Sequence, residues 1–466
     1  MLQNIHFYDT TTIGTPGLGQ PVSFHSIIYE EGRGATFDTA IALRPDVQFH
    51  CKDVETSPVF DEKFLTPINE YEWSRIAEKI FSKPNTLHIG FGSTSRQDDF
   101  IRYALYRCLS TLPSTDNLEN TYHLDLLTVY RAFALLRPKQ LHLSLPLANT
   151  QAAYSSLLFQ YPSTSRADTV KQLTAELQLG NPNLFNYALR NCSRERMTET
   201  CGLVDGRVET ISSLQPVFVT HESIPSKNHY GFFMTMGTDP QYPNILYMVD
   251  LEADLTDLID ETNDFSGFIH TKPEHQGRPI IRVNLNRSPF ICPLRNVGAE
   301  AASRLNVDMA LVRNNETMLR LKDDLCLELM EHSSSSETAR SADPDFQLYG
   351  PEYLPADKLL LNKIHSSEFD DWLEILKKAN DPRIQILGMR LIRRFAKPLL
   401  GEEETKRWGA HCAGRLAGNL DDRRLSESTK YCREILDTPN APSGMRETAR
   451  HWIQLVESRN ELSSQI

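Results

Sequence analysis

The sequence lacks three features that would assign it quickly to a class of protein. None of its 8 cysteines lies in a CxxC pair, so neither a zinc site nor a disulfide framework is indicated. No apolar run is long enough to span a bilayer, and the N-terminus has no basic region followed by an apolar one. We therefore expect a cytoplasmic protein with reduced, buried thiols and no membrane partner.

Positive charge is also scarce. The chain has 49 basic residues against 61 acidic ones, which gives a formal net charge of −12. This balance argues against a protein that coats nucleic acid indiscriminately, although a local basic groove is compatible with it. The 466 residues, 40% apolar and 24% charged, have the composition of an ordinary globular protein. A chain of this length predicts two or three domains.

The hydrophobic pattern divides the chain into three parts. Residues 1–181 alternate between strand and helix patterns, residues 182–331 carry short strands with turn signals, and residues 345–466 have helical spacing. The serine-rich stretch 332–344 is typical of a linker. We therefore predict an α/β domain, a small β-rich barrel or sandwich, and an all-α C-terminal domain.

The α/β part contains the most specific predictions of secondary structure. Apolar residues at helical spacing predict helices over Glu70–Phe81, Asp98–Leu109 and Asp125–Leu136. Runs of β-forming residues predict strands over Ser23–Tyr29, Ala35–Leu43 and Thr86–Phe91.

The opening stretch Ile5–Thr15 is an apolar run that ends in one acid, several hydroxyl residues and Gly14. A strand that carries a carboxylate near its end and then turns at a glycine is typical of many metal-dependent nucleases. Because side chains alternate across a strand, Asp9 and Thr11 lie on the same face. A second carboxylate at position 11 would be needed to hold a pair of divalent cations. The sequence therefore predicts an acid set that lacks one member.

A series of segments resembles one family in order and in approximate spacing. These segments are Phe7–Thr15, Gly90–Tyr103, Leu124–Pro138, Asn183–Arg190, Met248–Leu251, Asn286–Pro289, Gln347–Tyr349, Asp381–Ile384 and Arg407–Trp408. Together they resemble the bacterial exodeoxyribonuclease I family of the DEDD exonuclease superfamily. The resemblance implies an α/β exonuclease (RNase H-like) domain, an SH3-like β-barrel domain and an all-α C-terminal domain, which close together around single-stranded DNA.

The resemblance also implies a set of catalytic residues for two-metal hydrolysis from a 3′ end. It places the family's aspartates at Asp9, Asp98 and Asp168, which are the predicted catalytic and metal-binding residues. The family's glutamate falls on Thr11, and its histidine base falls on Ser163 in a shortened helix. Mg²⁺ or Mn²⁺ is the expected cofactor of an active site, and an inactive site would need none.

The resemblance extends to two kinds of partner. The family binds the acidic, phenylalanine-terminated tail of the single-stranded-DNA-binding protein, and Arg137, Tyr187 and Arg320 match positions of that site. Arg295 is close enough in sequence to compensate for positions that have changed.

For single-stranded DNA, the helical domain has a basic run that either lines a groove or forms a solvated helix face. The run comprises Lys377, Lys378, Arg383, Arg390, Arg393, Arg394 and Lys397, and possible stacking aromatics are Tyr103, Tyr130 and Phe133.

Three interpretations of function follow. In the first, the protein is related to exodeoxyribonuclease I, has lost most or all catalysis, and binds single-stranded DNA or the tail of its coating protein. In the second, it is an active 3′ to 5′ single-strand exonuclease with a rearranged metal site. In the third, it is a non-catalytic scaffold subunit of a larger assembly.

Overall fold

A computed structural model describes most of the chain and confirms the three-part organisation. The described residues are 3–47, 67–111, 121–163, 165–226, 228–260, 267–270, 277–322, 325–326, 328–329, 343–396, 401–417, 422–441 and 443–463. Within these ranges no helix is both long and apolar enough to cross a membrane. The cysteines in the described ranges are free thiols, and Cys51 lies outside them.

The first domain is built on a five-stranded sheet in the order β3-β2-β1-β4-β5. Its strands are β1 (Asn4–Ile13), β2 (Gln20–Glu30), β3 (Arg33–Ala40), β4 (Thr86–Gly90) and β5 (Tyr122–Asp125). The first three strands form an antiparallel meander, and β4 and β5 run parallel to β1. Gly14 has a φ of 79°, so the turn predicted after the opening strand requires its lack of a side chain.

Helices cover both faces of this sheet. They are α1 (Glu70–Phe81), α2 (Asp98–Arg107), α3 (Leu126–Leu136), α4 (Thr150–Gln160) and α5 (Arg166–Gly180); two further helices, α6 (Pro182–Arg190) and α7 (Arg194–Thr200), lead from this domain into the second. The face that bears Tyr8 and Phe24 packs against α1 and α2, and we call it the back face. The face that bears Phe7 and Asp9 packs against α3 and α5, and we call it the front face.

The predicted elements of the first domain are confirmed with small shifts at their ends. Helix α1 has the predicted bounds because Asn69 and Glu72 form a capping box at its start. Helix α3 begins one residue later than predicted, since Asp125 is its N-cap and accepts a hydrogen bond from the Leu127 amide at 2.9 Å. Asp125 also accepts from the Gly92 amide at 2.7 Å, which joins the end of β4 to the start of α3.

The second domain contains a six-stranded sheet in the order β11-β6-β7-β8-β10-β9. Its strands are β6 (Pro216–Thr220), β7 (Tyr230–Thr238), β8 (Ile245–Asp250), β9 (Ile269–His270), β10 (Ile280–Asn284) and β11 (Phe290–Pro293), and its helices are α8 (Thr256–Asp260), α9 (Ala299–Arg304) and α10 (Met309–Arg320). The predicted short strands of this part are confirmed. Its core is continuous with the apolar layer over the front face.

The third domain is helical, as predicted. Its helices are α11 (Pro355–His365), α12 (Phe369–Leu376), α13 (Pro382–Phe395), α14 (Glu402–Ala417), α15 (Asp422–Asp437) and α16 (Ser443–Ser463). Asp381 caps α13 by accepting from the Arg383 amide at 2.8 Å, and Pro382 takes the first helical position.

Most of the described residues of the basic run in this domain form ion pairs. Arg394 donates to Asp46 of the first domain at 2.9 and 2.6 Å, and both side chains are fully buried. Arg390 pairs with Asp343 at 2.6 Å and with Asp345 at 2.7 Å. The remaining pairs are Arg383 with Asp381, Arg393 with Glu404 and Lys377 with Glu374, while Lys397 lies outside the described residues. Much of the run therefore holds the third domain together and joins it to the first.

The aromatic residues predicted as stacking surfaces are mostly structural. Tyr130 and Phe133 are buried in the core under the front face, with exposed fractions of 2% and 0%. Tyr103 is half-buried and packs edge-on against Tyr349 of the third domain, with ring centroids 6.3 Å apart. Tyr130 and Phe133 are therefore inaccessible to a nucleic-acid base.

Candidate functional site

Asp9 is fully buried on the front face, and both of its carboxylate oxygens accept hydrogen bonds from neutral groups. The Tyr154 hydroxyl on α4 donates to Oδ2 at 2.6 Å, and the Gln97 amide donates to Oδ1 at 3.0 Å. Burial, followed by the negative charge of Asp9, raises the pKa of Tyr154 well above its usual range. Tyr154 is therefore a protonated donor, so Asp9 is stabilised by an uncharged phenol and an amide.

Thr11 lies beside Asp9 and accepts a hydrogen bond from the guanidinium of Arg166. Arg166 is the first residue of α5 and is 8% exposed. Its guanidinium also hydrogen-bonds the Tyr154 hydroxyl, which connects it to Asp9 through one side chain. We call the group formed by Asp9, Thr11, Gln97, Tyr154 and Arg166 the Asp9 pocket. This pocket contains a fixed cation at the place where the resemblance calls for a glutamate.

Asp98 does not join the Asp9 pocket. It is buried at the start of α2 and accepts from the Tyr8 hydroxyl at 2.6 Å, on the back face. His123 Nδ1 lies 3.5 Å from its other oxygen. Burial opposes ionisation of Asp98, but the hydrogen bond and charge of His123 outweigh it and lower the pKa of Asp98. The side chain that reaches Asp9 from this segment belongs to Gln97, the residue before Asp98.

Asp99, the second acid of the pair, lies where the three domains meet. It accepts from Arg287 of the second domain at 2.7 Å and from the Tyr349 hydroxyl of the third domain at 3.3 Å. Arg287 also donates to Glu222 at 3.1 Å. Asp99 therefore joins the domains and is not directed at Asp9.

Asp168 is in the first turn of α5 and is partly exposed. It accepts from Ser163 at 3.3 Å and from Gln172 at 2.7 Å, and Lys171 lies 3.6 Å away. Ser163 therefore serves as a hydrogen-bond donor to Asp168 at the position where the resemblance calls for a histidine base. The structure does not bring Asp9, Asp98 and Asp168 together.

Other acids near the opening strand do not replace the missing glutamate. Asp38 lies two strands from Asp9 in register, with His25 between them, and it accepts from His25 at 3.1 Å and from Ser165 at 2.9 Å. Two strand spacings place its backbone about 10 Å from that of Asp9. Glu30 is paired with Lys83.

The Asp9 pocket does not fit a pair of divalent cations. Hard cations such as Mg²⁺ need several anionic oxygen ligands, and two of them next to a phosphate need more than one carboxylate. Among the residues that the structure describes, no group of three or more His, Cys, Asp or Glu side chains is arranged to hold a metal ion. A neutral threonine, an amide, a phenol and a guanidinium surround Asp9 instead.

A cluster of three histidines occupies the back face behind this pocket. His6 Nδ1 lies 2.7 Å from His88 Nδ1, and the rings of His88 and His123 are stacked with centroids 4.9 Å apart. His6 also contacts the Ser26 hydroxyl through Nε2 at 2.9 Å. Burial, followed by the nearby charge of His123, lowers the pKa of His6 to about 3. Burial likewise lowers the pKa of His88 well below its usual range.

The predicted partner-binding residues lie in two surroundings. Tyr187 donates to the Ile291 carbonyl at 3.0 Å, and its pKa is raised by burial and by nearby Cys292. Arg137 and Arg295 also lie near Tyr187 and Cys292. The charge of Arg137 is close enough to influence the pKa of Cys292, and the charge of Arg295 is close enough to influence the pKa of Tyr187. Arg320 instead donates to the carbonyls of Ile211, Ser212 and Leu214 and pairs with Glu316 at 2.8 Å. Arg320 is therefore a tether for residues 211–214.

Sequence reasoning identified Asp9 and Thr11 but missed the other three residues of the Asp9 pocket. Tyr154 and Arg166 come from helices that lie 145 and 155 residues beyond their partners in the strand. The only sequence signal for Gln97 is its position immediately before the acidic pair. A one-residue change in alignment there exchanges a glutamine for an aspartate.

Comparisons with known proteins agree with this architecture. The family model of the exonuclease I SH3-like domain matches residues 206–332, and that of the exonuclease I C-terminal domain matches residues 342–456. Exodeoxyribonuclease I of Buchnera aphidicola (from Schizaphis graminum) is 25% identical over 433 residues, which are 88% of this chain and 86% of that protein. Both family-model matches lie beyond the domain that carries the Asp9 pocket.

Two solved structures show the same fold over the full length. The zinc-bound complex of E. coli ExoI with single-stranded DNA has a TM-score of 0.79 and 17% identity, and the match covers 98% of this chain and 100% of that one. The structure of SSB and exonuclease I with an inhibitor has a TM-score of 0.77 and 16% identity, and the match covers both chains completely.

The fold defines a three-domain protein of the exonuclease I type, with an RNase H-like α/β domain, an SH3-like β-barrel domain and a helical C-terminal domain. The predicted fold class is thereby confirmed. The chain belongs to the exodeoxyribonuclease I family.

Proposed function

We propose that this protein binds single-stranded DNA, and the tail of the single-stranded-DNA-binding protein, without hydrolysing DNA. The observation that carries the proposal is the composition of the Asp9 pocket. Its one carboxylate is already hydrogen-bonded by Tyr154 and Gln97, and the Arg166 guanidinium is held by Thr11 and Tyr154 in the same pocket.

The chemistry of the family explains why this composition matters. Two-metal hydrolysis uses metal ions roughly 3.5 to 4 Å apart to activate water and to stabilise the leaving oxygen. A single buried carboxylate beside a guanidinium does not supply the negative charge that two such ions need. A missing general base costs about 10²- to 10⁴-fold more in rate, and Ser163 has no basic nitrogen to act as one. These losses support a site that does not cut DNA.

Binding is supported by the parts of the architecture that are retained. The fold matches chains that were solved with single-stranded DNA and with SSB over nearly their full lengths. Asp99, Arg287 and Tyr349 still hold the three domains together beside the Asp9 pocket. These contacts join the three domains, although much of the predicted basic run is committed to ion pairs.

For the protein partner, we propose a site around Cys292 that contains Arg137, Tyr187 and Arg295. The forked guanidinium of an arginine can pair with both oxygens of a terminal carboxylate. A small cavity near Tyr187, with room for about one water molecule, is lined by Ala188, Cys192, Phe290 and Ile291 among others. Arg320 would contribute indirectly, by holding residues 211–214 in place.

The DNA part of the proposal is tested by measuring the binding of single-stranded DNA and then the length of the DNA that is recovered. Fluorescence anisotropy of a labelled single-stranded oligonucleotide should show saturable binding that is equal in EDTA and in Mg²⁺ and weakens as salt rises. The recovered oligonucleotide should have its full length. Absence of binding at low salt would contradict DNA binding, and shortening of the oligonucleotide would contradict the loss of hydrolysis.

The partner part is tested by titrating a labelled acidic peptide that ends in phenylalanine. Arg137→Ala with Arg295→Ala should weaken binding by about tenfold or more, because two charge-assisted contacts to the carboxylate are lost. The same peptide with an amidated C-terminus is the matched control and should bind weakly to every variant. Equal affinity of the wild type and the double variant would remove this site.

A further inference from the structure

We infer that Arg166 is a built-in counter-ion that takes the place of the divalent cation in the Asp9 pocket and excludes metal from it. This inference rests on the proposed loss of hydrolysis and gives that loss a specific cause. It concerns one side chain on α5, which none of the family-derived assignments includes.

The position of Arg166 supports the inference. Its guanidinium hydrogen-bonds the Thr11 hydroxyl, two residues along the same strand and on the same face as Asp9. It also hydrogen-bonds Tyr154, whose hydroxyl donates to Asp9 at 2.6 Å. Only the Tyr154 side chain therefore links the positive charge of Arg166 to the Asp9 carboxylate. The same charge is bound to Thr11, the position at which the family has its second acid.

The attachment of α5 fixes this charge in place. Ser165, the residue before Arg166, donates to Asp38 on β3 at 2.9 Å, so the start of the helix is tied to the sheet. Arg166 is 8% exposed, whereas Lys171 further along the same helix has a side chain that is 42% exposed. Arg166 is thus part of the buried pocket, and Lys171 is a surface cation.

The charge balance of the pocket favours a guanidinium over a metal ion. One carboxylate and one guanidinium neutralise each other, and the planar guanidinium is held by hydroxyl acceptors that do not need to ionise. A divalent cation placed beside it would meet strong repulsion in a site of low dielectric constant. A glutamate introduced at position 11 would pair with Arg166 and would not become a metal ligand.

The experiment rebuilds the acids and then varies Arg166. The full-length variant Thr11→Glu/Gln97→Glu adds two carboxylates beside Asp9, and Gln97→Glu keeps the size of the side chain. In this background Arg166 is left unchanged or replaced by Met, which removes the charge with little loss of volume, or by Lys, which keeps the charge. Lys171→Met in the same background is the matched control. Binding of Mn²⁺ is measured by electron paramagnetic resonance, after circular dichroism has shown that each variant is folded.

We expect the wild type to bind no Mn²⁺ in the Asp9 pocket. Among the rebuilt variants, the one with Arg166→Met should bind Mn²⁺ at least about tenfold more tightly than the other three. Those three keep Arg166 unchanged, carry Arg166→Lys, or carry Lys171→Met. Equal Mn²⁺ affinity in the presence and absence of Arg166 would overturn the inference, as would failure of the folded Arg166→Met variant to bind. Mn²⁺ binding by the wild type that Asp9→Asn abolishes would overturn it too.

The outcomes separate this inference from the proposed function. Hydrolysis of DNA by the wild-type protein would defeat the proposed function whatever Arg166 does. If the wild type neither hydrolyses DNA nor gains Mn²⁺ affinity when Arg166 is removed from the rebuilt site, the loss of catalysis stands and its assignment to Arg166 fails.

Discussion

On the front face of the five-stranded sheet, Asp9 is surrounded by a phenol, an amide and a guanidinium-bound threonine, whereas on the back face Asp98 lies against Tyr8 and His123. The resemblance places both aspartates, with Asp168, in one metal-binding set. Each instead accepts hydrogen bonds from neighbouring side chains on its own face of the sheet. This difference shows how a family can keep its fold while its acids are committed to structure.

The divergence of the two aspartates has a simple geometric origin. Successive residues of a helix point about 100° apart, so adjacent residues at a helix start face different surroundings. Gln97 points to the front face and hydrogen-bonds Asp9, while Asp98 points to the back face and hydrogen-bonds Tyr8. A shift of one residue at this position therefore decides whether an acid or an amide reaches the front face.

Acidification should have the largest effect, and it acts on the back face. His6 and His88 have pKa values lowered by burial in the folded protein, that of His6 from 6.5 to about 3, so the unfolded chain binds more protons below pH 6.5. The contribution of these two neutral histidines to the free energy of unfolding is therefore fully present above pH 6.5 and decreases as the pH falls below it. Each histidine should cost about 1.4 kcal/mol per pH unit in that window. Thermal unfolding from pH 7 to pH 4.5 measures the loss.

A matched pair of variants assigns this loss to the histidine cluster. His6→Phe with His88→Phe should flatten the pH dependence of the first unfolding transition. His142→Gln, at an exposed position, should leave it unchanged. A pH profile that both variants leave unchanged would show that the cluster is not its source.

Removal of the back-face carboxylate should have the next largest effect. Asp98→Ala leaves the buried Tyr8 hydroxyl and His123 without their acceptor, and we expect a destabilisation of about 3 kcal/mol. Urea unfolding followed by fluorescence measures it. Asp370→Ala, in the exposed first turn of α12, is the control and should change stability by less than about 0.5 kcal/mol. An Asp98→Ala protein as stable as the control would contradict the network on the back face.

The front face should respond in the same direction but less strongly. Asp9→Ala leaves Tyr154 and Gln97 without an acceptor, and we expect a destabilisation of about 2 kcal/mol by the same measurement. In a cluster of metal-binding acids, removal of one carboxylate would instead relieve repulsion and stabilise the metal-free protein. Asp168→Ala, which alters a partly exposed pair, should cost less than about 0.5 kcal/mol. A stabilised Asp9→Ala protein would show that Asp9 belongs to an acid cluster.

Much of the fold could be predicted from the sequence because it depends on local patterns. Helix α1 was predicted residue for residue from its apolar spacing, and the capping box of Asn69 and Glu72 fixes its start in the structure. The opening strand, its turn at Gly14 and the start of α13 at Asp381 and Pro382 also follow from neighbouring residues. Signals of this kind act within a few residues and do not depend on the rest of the fold.

The site was harder to predict because its contacts are long-range. The absence of a glutamate at Thr11 was evident, but its consequence depends on Arg166, which lies 155 residues away. The basic run of α13 had the composition of a DNA-binding surface, yet Arg394 and Arg390 reach buried acids whose positions only the fold defines. Composition identified the charged residues, and tertiary structure determined their partners.

The most direct test of the central claim is the release of nucleotides from 3′-labelled single-stranded DNA. The protein should be in excess over the DNA, with Mg²⁺ and then Mn²⁺, and Asp9→Asn should be measured in parallel. We predict no release by the wild type, and therefore no difference between the two proteins. Progressive release by the wild type that disappears in Asp9→Asn would contradict the claim, because it would show that Asp9 still works in a functional metal site.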